Sequence, residues 1–254
     1  VVESCTFIEC ENQAIRVVDQ GGLGIRSLEV RDCLFQDIRS SVSGGCVQAG
    51  SLDHGVTIER CVFVRPMLTE YGGTGAALAL TALGPKIVRD NVFYGMNLGD
   101  VGAVCVDLSR DFVVVSGNTF ADCHQQVQGF TGSAARVTLA DGIEFHSNVV
   151  AYTSGAKALS FIESQGPVTL GCNVFWDNVD GIGYELDPTD RIADPPFCDP
   201  DHDDYTLQGT SPCLPELSLG CGLIGALGQG CGTVSLTPET WGRIKSGFRT
   251  GEEE

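Results

Sequence analysis

Six side chains have the types and grouping that hold a sugar. Tyr71 and Tyr94 offer ring faces that stack on a pyranose, and Arg39, Arg65, Glu70 and Asp100 could fix hydroxyls or uronates. They fall in three successive stretches, 36–44, 64–74 and 94–101. Residues for catalysis are sparser. Asp107, after the run 102–106, stands where a glycosidase acid would stand, but the equivalent strands end in Leu80 and Ser160, so no partner carboxylate faces it. Lys157 has the type of a lyase base, again without acids in phase. The chain lacks Gly-x-Ser-x-Gly, a Walker-type loop, His-Glu-x-x-His and a dinucleotide fingerprint. The run Asp199, Asp201, Asp203, Asp204 suggests calcium, but it lacks the Gly and distal Glu of an EF-hand, and turn-forming Asp beside Pro is the simpler reading. His54, His124, His146 and His202 are scattered and no Cys-x-x-Cys occurs, which argues against zinc. No cofactor is expected, calcium being the one open alternative.

What positions these residues is a repeat. An apolar residue, two polar or small ones, then Cys or Asn, any residue and a large apolar one recur seven times. Examples are Val30-Arg-Asp-Cys33-Leu-Phe35, Val88-Arg-Asp-Asn91-Val-Phe93 and Val115-Ser-Gly-Asn118-Thr-Phe120. The key positions 5, 33, 61, 91, 118, 148 and 173 are spaced 28, 28, 30, 27, 30 and 25, a mean of 28. Period-two alternation broken by a polar pair describes a strand entering a turn. Three five-residue strands with three turns fill such a period, giving one coil of a right-handed parallel β-helix. The fold class is therefore all-β, a solenoid of about seven coils.

Two columns point inward: Val2, Val30, Ile58, Val88, Val115, Phe145 and Leu170, and then Phe7, Phe35, Phe63, Phe93, Phe120, Val150 and Phe175. Asn91, Asn118, Asn148 and Asn173 should stack as a hydrogen-bonded ladder. Cys5, Cys33 and Cys61 should continue it as free, buried thiols. Glu3, Arg31, Glu59 and Arg89 should pair between coils on the outer face. From each ladder residue to the middle of the next strand the distances are 10, 13, 16, 13, 9, 10 and 9. The three long ones are those holding the sugar-binding types, so these insertions should wall a groove beside coils 2–4.

The chain has 254 residues, with 15 Lys and Arg against 33 Asp and Glu, hence 15 − 33 = −18. That charge disfavours a nucleic-acid partner, and the longest apolar stretch, 76–83, is far short of a membrane span. The chain opens Val1-Val2-Glu3, as a mature or shortened product would. Val2 already occupies an inward position, so upstream coils or another chain are expected to cover this end.

Ser116-Gly-Asn-Thr-Phe120 and its six relatives resemble the repeat of right-handed parallel β-helix proteins of the pectin-lyase-like superfamily, over residues 1–190. That superfamily includes polysaccharide lyases, glycosidases, adhesins and non-catalytic surface proteins. Residues 191–232 resemble the closing segment of bacterial extracellular β-helix proteins, with Asp194-Pro-Pro-Phe197, Asp204-Tyr-Thr-Leu207 and Ser211-Pro212, which covers the last coil. Its Cys198, Cys213, Cys221 and Cys231 allow three connectivities, and the resemblance implies 198–213 and 221–231. Disulfides in turn imply an extracellular or cell-surface location. The tail, 233–254, reads as a short amphipathic helix with Thr237 as N-cap and Trp241, Ile244 and Phe248 on one face. The preferred function is an exported bacterial scaffold or glycan-binding surface protein without strong catalysis. The alternative is a polysaccharide lyase or glycoside hydrolase acting on a linear polysaccharide in the coil 2–4 groove.

Overall fold

In the computed structural model, residues 1–18, 25–40, 45–68, 77–98, 102–107, 111–125 and 132–231 are described. They form a parallel β-solenoid with a repeat of ~28 residues. Three parallel sheets run along it. The first contains Val2–Glu3, Ser27–Arg31, Gly55–Glu59, Lys86–Arg89, Phe112–Ser116, Gly142–His146 and Val168–Gly171. The third contains six strands, from Ile15–Val18 to Leu159–Ile162, so about five full turns separate its ends. The seven sequence repeats thus exceed the complete coils: the seventh has strands in the first two sheets and none in the third.

Both inward columns stand in register. Val2, Val30, Ile58, Val88, Val115, Phe145 and Leu170 are consecutive partners. Phe7, Phe35, Phe63, Phe93 and Phe120 stack with ring centroids 4.7–4.9 Å apart. The next rung carries Val150 where the others have Phe, and Phe145 lies 6.4 Å from Phe120. The larger residue in one inward column offsets the smaller one in the other, which keeps the interior filled. Between first and second sheets the chain turns on one residue with positive φ, namely Ser4, Asp32, Arg60, Asp90, Gly117, Ser147 and Cys172.

The ladder forms as expected. Each Asn side-chain amide donates to the oxygen of the next Asn, 3.0 Å from Asn91 to Asn118 and from Asn118 to Asn148, then 3.1 Å to Asn173. It ends on a rung that sequence periodicity did not reach. Asn173 donates to Asp190 Oδ1 at 2.9 Å, and Arg191–Ile192 pairs with Val174–Trp176. Cys5, Cys33 and Cys61 remain thiols outside the disulfides; Cys33 and Cys61 are buried and Cys5 is half-buried. Two of the outer charge pairs form, Arg31 to Glu3 and Arg89 to Glu59.

The C-terminal segment departs from expectation. After Arg191–Ile192 it does not simply close the last coil but folds back along the outer face of the second sheet. Phe197, Tyr205, Leu207, Cys213, Leu214, Ile224 and Ala226 pack there on Leu34, Val62, Val92, Val149 and Val174, a second apolar core outside the coil. Gly225 N–H donates to Ser147 O at 2.7 Å, and Ala226 N–H to Thr119 Oγ1 at 3.0 Å. This path corrects the expected disulfides. Cys172 joins Cys221, with Cα atoms 5.5 Å apart, and Cys198 joins Cys231, 4.9 Å apart. Cys221 is carried to the corner of the seventh repeat, and Cys213 is left as a free thiol buried in the second core. The 233–254 tail, with its Thr237–Phe248 helix, lies outside the described residues.

Candidate functional site

Of the six sugar-binding side chains, Arg39, Arg65 and Tyr94 fall among the described residues. Glu70, Tyr71 and Asp100 lie outside the described residues. Tyr94 is 1% exposed, with its ring 4.7 Å from that of Tyr205. The returning C-terminal segment covers the face that would have met a sugar. Arg65 is also spent on structure: it donates to Asp37 at 2.9 Å and to Asp203 of that segment at 2.7 Å. Those bonds, the Asp37 bond foremost, raise its pKa and hold it charged. Arg39 is exposed, and its backbone bridges Glu11. The Asp199–Asp204 run is divided among partners. Asp199 faces His202 at 2.8 Å, Asp203 takes Arg65, and buried Asp204 accepts from Thr206 N–H at 3.0 Å. Asp107 accepts from Thr138 Oγ1 at 2.8 Å, with Arg136 4.0 Å away, and Lys157 is exposed two coils on.

No family model, curated protein or solved structure matches this chain. The site must therefore be read from its own geometry.

The described residues bring polar chemistry together at two further places. The first is a shallow cleft of about 310 Å³ on the outer face of the first sheet, lined by Glu29, Val30, Arg31, Thr57, Glu59, Ile87 and Arg89. Parallel pairing without slip puts Glu29, Thr57 and Ile87 in one row and Arg31, Glu59 and Arg89 in the next. The cleft thus repeats along the solenoid axis at the inter-strand spacing of about 4.8 Å. Glu59 is nearly buried and accepts from Arg89 Nε at 2.8 Å and from Arg60 at 2.9 Å. Two Arg and two Glu line the cleft, so it is neutral on a chain of net charge −18.

The second place is a row six residues after the ladder: Glu11, Arg39, Met67, Asn97, His124 and Ser154, each bridged in parallel to the next. Here His124 Nδ1 lies 2.6 Å from Ser154 Oγ, and His124 Nε2 lies 2.6 Å from Asp122 Oδ1. Asp122 and His124 share the outward face of Thr119–Gln125, while Cys123 and Gln125 between and beyond them are buried. The signal is present in the sequence, since 124 − 118 and 154 − 148 are both 6, but it lies in repeat phase and not in any clustering of the four His.

Proposed function

We propose that this chain is an exported bacterial surface scaffold, a right-handed β-helix related to the pectin-lyase-like superfamily, that binds a linear neutral glycan along the first-sheet cleft. The observation that carries the reading is the cleft itself. It spans three consecutive coils, offers donors and acceptors in regular rows, and balances its own charge. An extended polymer of hydroxyl groups matches such a periodic row. A uronate polymer would meet Glu29 and the field of net charge −18 without a surplus of local cations. Two disulfides in the C-terminal region favour an oxidising, extracellular location. Binding is preferred over glycoside hydrolysis in this cleft because both Glu59 carboxylate oxygens are taken by Arg60 and Arg89, which leaves neither free to face a glycosidic oxygen.

The test is titration of the protein with soluble neutral glucans and with uronate polymers. Neutral polymer should bind with modest affinity, because an open cleft must order a flexible ligand. Arg89→Ala should weaken it roughly tenfold, the scale of one to two lost hydrogen bonds, and Thr57→Trp should abolish it by filling the trough. Binding that survives Thr57→Trp, or that favours uronates, would overturn the assignment.

A further inference from the structure

We propose that Ser154, His124 and Asp122 form a nucleophile, base and orienting acid that hydrolyse short-chain acyl esters. This activity goes beyond glycan binding and does not depend on it. An ionised carboxylate is an acceptor only, so the 2.6 Å contact of Asp122 Oδ1 requires the hydrogen of the neutral imidazole on Nε2. Nδ1 then carries the lone pair, and Ser154 Oγ, 2.6 Å away, donates to it. The hydroxyl is thereby aimed at a base whose tautomer is fixed from behind by a carboxylate, the division of labour that activates a serine. The two ring nitrogens have exchanged duties relative to the usual serine-hydrolase triad, which alters the approach direction and not the proton transfer.

Access supports the same reading. The side chains of His124 and Asp122 are 45% and 49% exposed, so an ester could reach them. Ser154 is half-buried, one coil further on, and its backbone is bridged to that of His124. The row therefore holds the base at the end of a strand and the nucleophile on a backbone bridge beside it.

Gly155 supplies an independent indication. The N–H following a nucleophilic serine is a common oxyanion donor. Here Gly155 N–H donates to Asp180 Oδ2 at 2.8 Å, in an exposed contact. This N–H therefore already holds an anionic oxygen. Only glycine fits this position: its φ is +83°, and a Cβ would stand 2.1 Å from Gln125 O.

In the reaction, Ser154 Oγ bonds to the ester carbonyl carbon as its proton passes to His124 Nδ1. The carbonyl electron pair moves onto oxygen beside Gly155 N–H. The bond to the alcohol then breaks, and the leaving oxygen takes the proton from Nδ1. Water adds to the acyl-serine with its proton going to Nδ1. Collapse frees the carboxylic acid, and the proton returns to Ser154 Oγ. Among the described residues the site is open to the surface and Gly155 N–H is its one oxyanion donor, so short acyl groups and slow turnover are expected.

The test uses the intact protein with a fluorophosphonate probe and with p-nitrophenyl acetate. Mass spectrometry should place one adduct on Ser154. Ser154→Ala should abolish both labelling and the acetyl burst, His124→Gln should cut the labelling rate at least 100-fold, and Asp122→Asn about tenfold. Asp180→Ala should raise ester turnover several-fold by freeing Gly155 N–H, an effect that a merely structural contact would not produce. Absence of an adduct on the folded wild-type protein, or a Ser154 adduct formed equally fast in His124→Gln, would overturn the proposal. The wild-type labelling decides the question even if a variant fails to fold.

Discussion

The ladder column shows how one structural duty is met by two kinds of side chain. Asn118 donates to Val88 O at 2.9 Å and accepts from Asn91 N–H at 3.0 Å. Cys33 and Cys61 meet the same partners one coil back, with Sγ 3.8 Å from Val2 O and 3.7 Å from Val30 O, and Cys5 N–H points at Cys33 Sγ at 3.4 Å. A thiol is a weak donor and acceptor, so these rungs are held more loosely than the amide rungs. Asn118→Ala should cost about 3 kcal/mol, because buried groups of Asn91 and Val88 lose their partner. Cys61→Asn should stay within about 1 kcal/mol of the wild type, since it extends an existing ladder. Urea midpoints of both variants check the pair. Lys86 makes a different prediction. It occupies an inward column otherwise made of Leu28, Val56, Val113, Ile143 and Val168, and is wholly buried. Burial pushes its ammonium from 10.5 down to about 8, against the attraction of Asp111 and Asp141. Between those values the unfolded chain keeps the proton that the folded chain has released, so stability should rise as pH rises from about 8 to 10.5. The gain should be about 3 kcal/mol at most, and Lys86→Met should flatten the slope of urea midpoint against pH.

At the scale of elements, the second core explains why parts of the fold were legible and parts were not. The inward columns could be read because their phase survives every change of loop length. The repeat pattern admits any residue just after the ladder, yet Leu34, Val62, Val92, Val149 and Val174 are apolar there. Apolar residues on both faces of a strand mark a sheet covered on both sides. That was the sequence signal for a segment lying on the second sheet. What covers it could not be read, because Phe197, Tyr205, Leu207 and Ile224 follow no period. Cys172 was for the same reason invisible as a disulfide partner: it sits on a corner whose neighbour comes from 49 residues away. The two disulfides close loops of 49 and 33 residues, each worth about 4 kcal/mol in the chain-entropy account. Replacing Cys172 and Cys221 together by Ser should therefore lower stability by roughly 3–4 kcal/mol. It should also loosen the segment enough for a hydrophobic dye to reach the Val62–Val92–Val149 face. A dye signal no stronger than that of the wild type would mean that packing alone holds the segment.

At the scale of the molecule, a solenoid joins each coil only to its neighbours, so stability is expected to vary along its length. The C-terminal segment breaks that locality. It is anchored at the seventh repeat by Cys172–Cys221, touches the fifth and sixth through Thr119 and Ser147, and reaches the third through Asp203 and Arg65. Coils three to seven are thus strapped together from outside, and among the described residues the first coil has no such strap. Its Val1 and Ile8 are exposed, and Val2 and Phe7 are only partly buried. The candidate ester site, at coils five and six, lies inside the strapped part, where a relay held to a fraction of an ångström is best kept in shape. Local opening should follow this division. In native-state hydrogen exchange, amides of Thr6–Ile8 and Ile15–Val18 should exchange at least tenfold faster than those of Val92–Leu98 and Thr119–Gln125. Removing the Cys172–Cys221 bridge should narrow that gap by raising the second group and leaving the first unchanged. Equal protection along the whole chain before the bridge is removed would mean that the coils already unfold as one unit, and that the strap adds nothing to their cooperation.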